Sequence, residues 1–198
     1  MQRRTVALAL FFLLLTSFKG QAGESGLATA QTLTASPLAV PAAGAHATSR
    51  LISPWEPIEL VIPRIAVDAR IEARGLDGSR NLDTPHDFRD VAWYRLGPAP
   101  GLPGNALING HVNWWTGSAV FTRLAQLRKG DEVFVVRVDG SRVAFKVTSR
   151  AVVAAGARIP SLFAPSRVAS LTLITCTGAW DAARGSDTQR LLVSAVLA

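Results

Sequence analysis

The strongest constraint on the fold is a period-two alternation of apolar and polar residues that recurs along most of the chain. Short β-rich runs, bounded by Gly, Pro, Asp or Ser, follow one another from residue 58 onward. These runs cover residues 58–62, 66–72, 105–109, 132–138, 142–149, 170–175 and 189–197. Asp139, Gly140 and Ser141 join two of the runs, which is typical of a β-hairpin with a short loop. The pattern predicts a mainly β domain.

One segment breaks the alternation. Val120, Phe121, Leu124 and Leu127 fall at helical spacing, and Gly130 follows as a stop signal. We therefore predict one or two short helices among seven or more strands. A closed or nearly closed β-barrel is the favoured architecture, and a two-sheet sandwich built from the same strands is the alternative.

The N-terminus has the composition of an export signal. Arg3 and Arg4 precede an uncharged apolar run at residues 5–18. As a helix this run spans about 21 Å, which is shorter than a hydrocarbon core of roughly 30 Å. We predict a signal peptide or short membrane anchor at residues 1–19. The remainder of the chain is then expected at the extracytoplasmic face of the cell membrane, either anchored or secreted.

A second compositional zone follows. Residues 20–54 are mostly Ala, Gly, Ser, Thr and Pro, and such a stretch buries too little apolar surface to fold. We predict a disordered linker at 20–54 and a single catalytic domain at 55–198.

Charge and cysteine content exclude several classes of protein. The net charge of +7 is scattered, and no basic run is longer than Arg128 and Lys129, so nucleic-acid binding is not expected. The chain has one cysteine, Cys176, which excludes an intramolecular disulfide framework and a multi-cysteine zinc site. With only three histidines, we expect no metal site.

The only thiol of the chain lies at the end of a predicted strand, where it could act as a nucleophile. Cys176 ends a predicted strand in which Thr172 and Ile174 share its face. A buried cysteine that packs as a small hydrophobe is the structural alternative. His111 follows another predicted strand at the matching position, so two strand ends could bring imidazole and thiol together. An exported protein with one unpaired thiol favours a reactive role.

A thiol needs partners to act as a nucleophile near neutral pH. An isolated cysteine with a pKa of about 8.5 is only a few per cent thiolate, and a nearby imidazolium favours the anion and later protonates a leaving amine. Acyl transfer also builds an oxyanion that requires a positive charge or aligned donors. Arg190, at the start of the last predicted strand, could supply this charge, although a surface ion pair is the structural alternative.

Three blocks of sequence together resemble the sortases, the cysteine transpeptidases of bacterial cell surfaces. The run Thr172-Leu173-Ile174-Thr175-Cys176 resembles the family's TLxTC motif. The segment containing Gly110 and His111 is similar to the segment that carries the family's histidine, and Arg190-Leu191-Leu192-Val193 resembles the strand that carries its arginine. The three blocks keep the order His, Cys, Arg, and the domain most resembles sortases of classes E and F.

The resemblance implies a closed eight-stranded β-barrel and a two-step reaction. Cys176 would attack the Thr carbonyl of an LPxTG-like sorting signal, and an amine from peptidoglycan or a pilin would resolve the thioacyl enzyme. His111 becomes the acid and base, and Arg190 stabilises the oxyanion and orients the substrate. Thr175 is expected to bind substrate or to support the oxyanion site. The chemistry requires no cofactor and no metal.

Some residues depart from the family pattern or could share its roles. Asn113 stands where many sortases have Asp, and Arg184 is a second arginine near the cysteine. His86 could approach the groove. Trp114 and Trp115 could line it or pack a barrel end.

Two other classes of protein remain as alternatives. One is a non-catalytic exported β-barrel that serves as a binding module. The other is a different cell-wall cysteine enzyme such as an L,D-transpeptidase, although the usual Gly-Cys-x-Arg context of those enzymes is absent around Cys176.

Overall fold

The structure, a computed structural model, describes residues 53–115 and 117–198. The predicted signal peptide or anchor at 1–19 and the predicted linker up to residue 52 lie outside the described residues. Within the described residues, no helix is both long enough and apolar enough to cross a membrane.

Among the described residues, eight of ten strands form a closed barrel, and the other two form a small hairpin. The strands are β1 (Pro57–Ile62), β2 (Val67–Arg74), β3 (Val91–Tyr94), β4 (Gly104–Asn109), β5 (Asn113–Trp114), β6 (Gly117–Ser118), β7 (Glu132–Arg137), β8 (Arg142–Ala154), β9 (Ala169–Asp181) and β10 (Ser186–Leu197). Around the barrel the order is β1-β2-β3-β4-β9-β10-β8-β7, and β7 pairs with β1 to close it. This closure confirms the barrel and excludes the two-sheet sandwich.

Two of the barrel's pairings are parallel, β2 with β3 and β4 with β9. A parallel pair needs a crossover connection, and the chain supplies long ones at residues 75–90 and 110–168. The remaining pairs are antiparallel, including the predicted β7–β8 hairpin at Asp139, Gly140 and Ser141. The parallel β4–β9 pair places two segments that are distant in the sequence side by side.

The short helix predicted near residue 120 is present only as a 3-10 turn. The segment forms successive turns and a three-residue 3-10 turn at Leu124–Gln126. Its buried side chains, Phe121, Leu124 and Leu127, recur every three residues, which matches the three-residue turn of a 3-10 conformation better than the 3.6-residue α-helix. Two further 3-10 turns stand at Pro63–Ile65 and Pro160–Phe163.

The barrel is filled from the inward faces of its strands. Alternate residues of each strand enter a single apolar core, because side chains in a strand point to opposite faces. The fully buried members include Leu60, Ile62, Val91, Ile108, Phe121, Val133, Phe145, Leu171, Leu173 and Val193. The 3-10 turn at Leu124–Gln126 closes the core through its buried Leu124.

Two connections are hydrogen-bonded to polar side chains on the outer face of β4. The Asn105 side-chain amide donates to the Leu162 carbonyl at 3.0 Å, in the connection between β8 and β9. The Asn109 amide donates to the Asp83 carbonyl at 3.0 Å, in the connection between β2 and β3. The outer face of β4 therefore lies between two loops.

Candidate active site

The three predicted site residues come from three neighbouring strands, with β9 in the middle. On one side, β4 runs parallel to β9, and Asn109 pairs with Ile174. On the other side, β10 runs antiparallel, and Arg190 pairs directly with Cys176. The Gly110 amide donates to the Ile174 carbonyl at 3.1 Å, which continues the β4–β9 pairing beyond the end of β4. The next residue, His111, therefore lies level with Cys176.

Gly110 is required by close packing from a neighbouring segment. A Cβ atom at this position would lie 2.8 Å from a methyl of Val120 and 2.9 Å from the ring of Phe121. The Phe121 amide also donates to the His111 carbonyl at 2.9 Å. The absence of a side chain at Gly110 thus lets the residues near 120 fix the backbone that carries His111.

The Cys176 thiol is half-buried on the outer face of the barrel and is free. Burial raises the pKa of this thiol above its ordinary value, and the nearby charge of Asp187 raises it further. The positive charge of Arg190 and a hydrogen bond with the Ser186 side chain act in the opposite direction. Because burial prevails, the thiol is mostly protonated near neutral pH and needs a base to become a nucleophile.

The Arg190 guanidinium is held in place by three hydrogen bonds. Its Nη1 donates to the carbonyls of Asp187 at 2.9 Å and Gln189 at 2.8 Å. Its Nη2 donates to the Ser186 hydroxyl at 2.9 Å. A guanidinium has five N–H donors, so two of them are not used by these bonds. Arg190 is therefore a fixed positive fork beside Cys176 with donors left for a ligand.

The hairpin that follows Cys176 is more ordered than the sequence predicted. The predicted strand runs stop at residue 175 and resume at residue 189, but β9 continues to Asp181 and β10 begins at Ser186. The pairing shifts register between Asp187 and Gln189, where β9 holds an extra residue. Gly178 has φ +88°, and a Cβ there would lie 2.7 Å from the Thr188 hydroxyl. Only glycine fits this bulge without strain.

His111 is half-buried, and its ring has two neighbours. Its Nε2 lies 3.3 Å from the Pro85 carbonyl, and its ring centroid is 5.3 Å from that of Trp114, tilted by 58°. A carbonyl oxygen only accepts hydrogen bonds, so this contact assigns the proton of the neutral ring to Nε2. Nδ1 is then the basic nitrogen of the imidazole.

Aromatic rings extend from His111 towards solvent. The Trp114 ring stacks on Phe88 with centroids 5.6 Å apart, and it meets Trp115 edge-on at 6.0 Å. The Arg89 guanidinium lies 5.5 Å from the Phe88 ring centroid. Trp115 is 90% exposed. Trp114 thus packs the histidine end of the site, whereas Trp115 is free to contact a ligand.

Thr175 is turned away from the outer face. Its side chain is only 3% exposed, and its hydroxyl donates to the Gly110 carbonyl at 2.8 Å. This bond ties β9 to the backbone immediately before His111. Of the two roles expected for Thr175, the geometry favours support of the site over direct contact with a ligand.

Two residues considered from the sequence lie apart from these groups. His86 binds the Glu72 carboxylate through Nδ1 at 2.8 Å, at the end of β2. It is the neighbouring Pro85 that reaches His111. Arg184 stands in the turn between β9 and β10, is largely exposed, and pairs with Asp181 at 3.5 Å.

Sequence reasoning missed Ser186 and Asp187, which act on the thiol from the start of β10. Neither residue belongs to a motif, and their proximity depends on the bulged hairpin, so no sequence pattern signalled them. Among the residues that the structure describes, no group of three or more His, Cys, Asp or Glu side chains could hold a metal ion.

Comparisons with known proteins agree on one family. A family model described as a Sortase domain matches residues 60–198. Among solved structures, sortase C-1 from Actinomyces oris is 26% identical, with a TM-score of 0.54, and the match covers 72% of this chain and 75% of that one. Sortase C1 from Streptococcus agalactiae, in a complex with MTSET, is 24% identical with a TM-score of 0.57 and coverage of 71% and 68%.

A third similar structure is a lid mutant of sortase A from Corynebacterium diphtheriae. It is 22% identical, with a TM-score of 0.55, and the match covers 72% of this chain and 69% of that one. None of the curated proteins searched matches the chain.

Proposed function

The chain belongs to the sortase family of cysteine transpeptidases, and from this membership we propose that Cys176, His111 and Arg190 perform its reaction. The observation that carries the assignment is their placement on three adjacent strands, with Arg190 on β10 paired to Cys176 on β9 and His111, just beyond the end of β4, level with Cys176. The family match does not favour a non-catalytic binding module or an L,D-transpeptidase. The class E and F resemblance and the boundaries at residues 19 and 54 remain predictions.

The first step forms a thioacyl enzyme. His111 Nδ1 takes the proton of the Cys176 thiol, and the sulfur adds to the Thr carbonyl carbon of an LPxTG-like sorting signal. The carbonyl oxygen becomes an oxyanion, which receives the two N–H donors of Arg190 that the protein does not use. The C–N bond then breaks, and His111 returns its proton to the leaving amine.

The second step transfers the acyl group. An amine, from a peptidoglycan cross-bridge or a pilin lysine, gives a proton to His111 and attacks the thioester carbon. A new C–N bond forms as the C–S bond breaks, and Cys176 leaves as the thiolate. Thr175 supports both steps from inside the barrel, because its bond to the Gly110 carbonyl holds the backbone that carries His111.

Membership of the sortase family also indicates where this chain works in the cell. Sortases are generally associated with the cell surface. We propose that this chain works at the extracytoplasmic face of the membrane, attached or exported through residues 1–19. Its partners would be exported proteins that carry a sorting signal, together with the acceptor amine.

The direct test is a screen of LPxTG-like peptides with the full chain, with and without an amine acceptor. Mass spectrometry should detect a thioacyl adduct on Cys176 and, after amine addition, the ligated product. His111→Ala should lower turnover almost as far as loss of Cys176, since no other base lies at the end of β4. Peptide cleavage that persists in Cys176→Ala would overturn the assignment.

A further inference from the structure

One hydroxyl beside the nucleophile has no part in the steps above. Ser186 is the first residue of β10 and is half-buried. Its Oγ accepts a hydrogen bond from Arg190 Nη2 at 2.9 Å. Its side chain also lowers the pKa of the Cys176 thiol, and Cys176 is the residue that pairs with Arg190 across the β9–β10 ladder. Ser186 is thus bound to the cation that pairs with the nucleophile and also acts on the nucleophile itself.

The bulged hairpin explains how Ser186 reaches this position. Ser186 stands four residues before Arg190, which corresponds to about 13 Å along a regular strand. The extra residue of β9 near Gly178 bends the hairpin, as β-bulges do, and the long Arg190 side chain extends back towards Ser186. The Arg190 side chain thereby links the start of β10 to the position that pairs with Cys176.

The direction of each hydrogen bond follows from the donors available. A guanidinium can only donate, so the Ser186 oxygen is the acceptor of the bond from Arg190. The hydroxyl hydrogen of Ser186 remains to be donated, and a thiolate is an acceptor. The chain of bonds therefore runs from the Arg190 N–H to the Ser186 oxygen, and from the Ser186 O–H to the Cys176 sulfur. Such a chain polarises each of its members.

From this geometry we infer that Ser186 is a further catalytic residue, whose hydroxyl donates to the Cys176 thiolate and fixes the Arg190 fork beside it. The inference rests on the proposed role of Cys176 as nucleophile. The thiolate requires a hydrogen-bond donor, because burial of Cys176 and the charge of Asp187 both disfavour the ionised thiol. Arg190 on β10 and His111 at the end of β4 are the other ionisable groups beside the thiol.

Ser186 also contributes to the second step, the transfer of the acyl group to the amine. When the acyl group occupies the sulfur, no thiolate remains to accept the Ser186 proton, but the bond from Arg190 can persist. The guanidinium then stays in place for the oxyanion that forms when the amine attacks. Loss of the hydroxyl should therefore affect both thiol reactivity and acyl transfer.

The test measures the alkylation rate of Cys176 by iodoacetamide in the folded full chain as a function of pH, read by intact mass. Ser186→Ala should move the midpoint of the profile to higher pH and slow alkylation at pH 7 about fivefold, because a hydrogen bond to the anion is lost. Ser186→Thr keeps the hydroxyl and should stay within about twofold of wild type. Ser194→Ala, a half-buried serine of the same strand, is the matched control and should leave the profile unchanged.

The outcomes separate this inference from the proposed function. If wild-type Cys176 reacts and Ser186→Ala reacts with the same pH profile, Ser186 has no catalytic role while the function stands. If folded wild-type protein does not react at any pH, both the nucleophile and this inference are overturned. Circular dichroism of each variant reports folding, and Ser186→Thr supplies the second reading if Ser186→Ala does not fold.

Discussion

Strands β4, β9 and β10 carry two faces of opposite character, one turned into the barrel and one turned outward. Inward, the neighbours Ile108, Leu173 and Val193 are fully buried and apolar. Outward, Thr172, the residue before Leu173 in β9, donates a hydrogen bond to the Asn105 side-chain oxygen at 3.0 Å. The same outer face continues to the half-buried Cys176. Successive residues of one strand thus belong to different physical environments.

The contrast indicates how stability and chemistry are divided. Inward residues contribute by removing apolar surface from water, about 25 cal/mol for each Å². Outward polar groups gain little from burial and are retained only where each finds a hydrogen-bond partner. Substitutions on the inner face should therefore lower the free energy of unfolding, and substitutions on the outer face should lower activity.

The largest effect on activity is expected for Cys176→Ala, a substitution on the outer face. We expect complete loss of peptide cleavage and transfer, because no other thiol exists in the chain. The free energy of unfolding should change by less than about 1 kcal/mol, since a half-buried thiol contributes little packing. Peptide turnover and urea unfolding of the same preparation provide the two measurements. A large loss of stability would show that the outer face also serves as core.

The opposite result is expected for Leu173→Ala, three residues earlier on the inner face. Leu173 is fully buried, so its truncation should lower the free energy of unfolding by about 2–5 kcal/mol. Thr172→Ala, on the adjacent outward position, should cost only about 1 kcal/mol for one lost hydrogen bond. Urea denaturation checks both values. Equal losses for the two variants would remove the distinction between the faces.

Much of this two-faced arrangement could be predicted from the sequence. Period-two alternation identified seven of the barrel strands and placed Thr175 on the face opposite Cys176, but the predicted strand end at Cys176 is wrong, because β9 continues to Asp181. The alternation did not reveal β3, because three consecutive residues, Val91, Ala92 and Trp93, are all buried. Such a short run without alternation carries no strand signal.

The sequence could identify site residues only where the chain has few residues of the required type. One thiol and a histidine at a matching strand end pointed to Cys176 and His111. Ser186 could not be found this way, because serines are common and its position depends on a bulge at Gly178. Residues 177–181 include Gly178 and Asp181, which are typical of loops, so the extension of β9 was missed.

A third prediction compares two arginines that differ in how firmly the protein holds them. Arg190→Ala should lower kcat/KM by roughly a hundredfold, about 3 kcal/mol, because a preorganised charge at the oxyanion is lost. Arg190→Lys should recover little of this loss, since an ammonium lacks the planar fork. Arg184→Ala is the matched control and should stay within about threefold of wild type, because that side chain is largely exposed in a turn.

Kinetics of these variants on one peptide decide the assignment. If Arg184→Ala is the variant with strongly reduced kcat/KM, the positive charge that stabilises the oxyanion lies in the turn. The Arg190–Cys176 pairing would then not matter for catalysis. If all variants retain normal kcat/KM, stabilisation of the oxyanion must come from backbone amides. Either result would weaken the link between the outer face and chemistry.

The smallest effect concerns the connection that reaches the outer face at residues 75–90. Burial alone would raise the pKa of Glu72, but hydrogen bonds from the His86 side chain and backbone, and from the Asp87 backbone, hold it below its ordinary value. A lowered pKa in the folded state means that the ionised carboxylate stabilises the fold above its unfolded pKa, and that this contribution disappears as pH falls through the folded pKa. Because His86 is 74% exposed, we expect a contribution of less than about 1 kcal/mol.

Glu72→Gln tests whether this pair holds the loop against the site. At pH 7 the variant should lose this small stability and exchange its amide hydrogens faster at residues 83–90, where the carbonyls of Asp83 and Pro85 contact Asn109 and His111. At a pH below the lowered pKa of folded Glu72 the two proteins should behave alike, since wild type has then lost the charge as well. Exchange in β1 and β7 should not change at either pH. Faster exchange throughout the barrel would show instead that the outer loop and the inner core unfold as one unit, and the division between the two faces would then apply to chemistry but not to local stability.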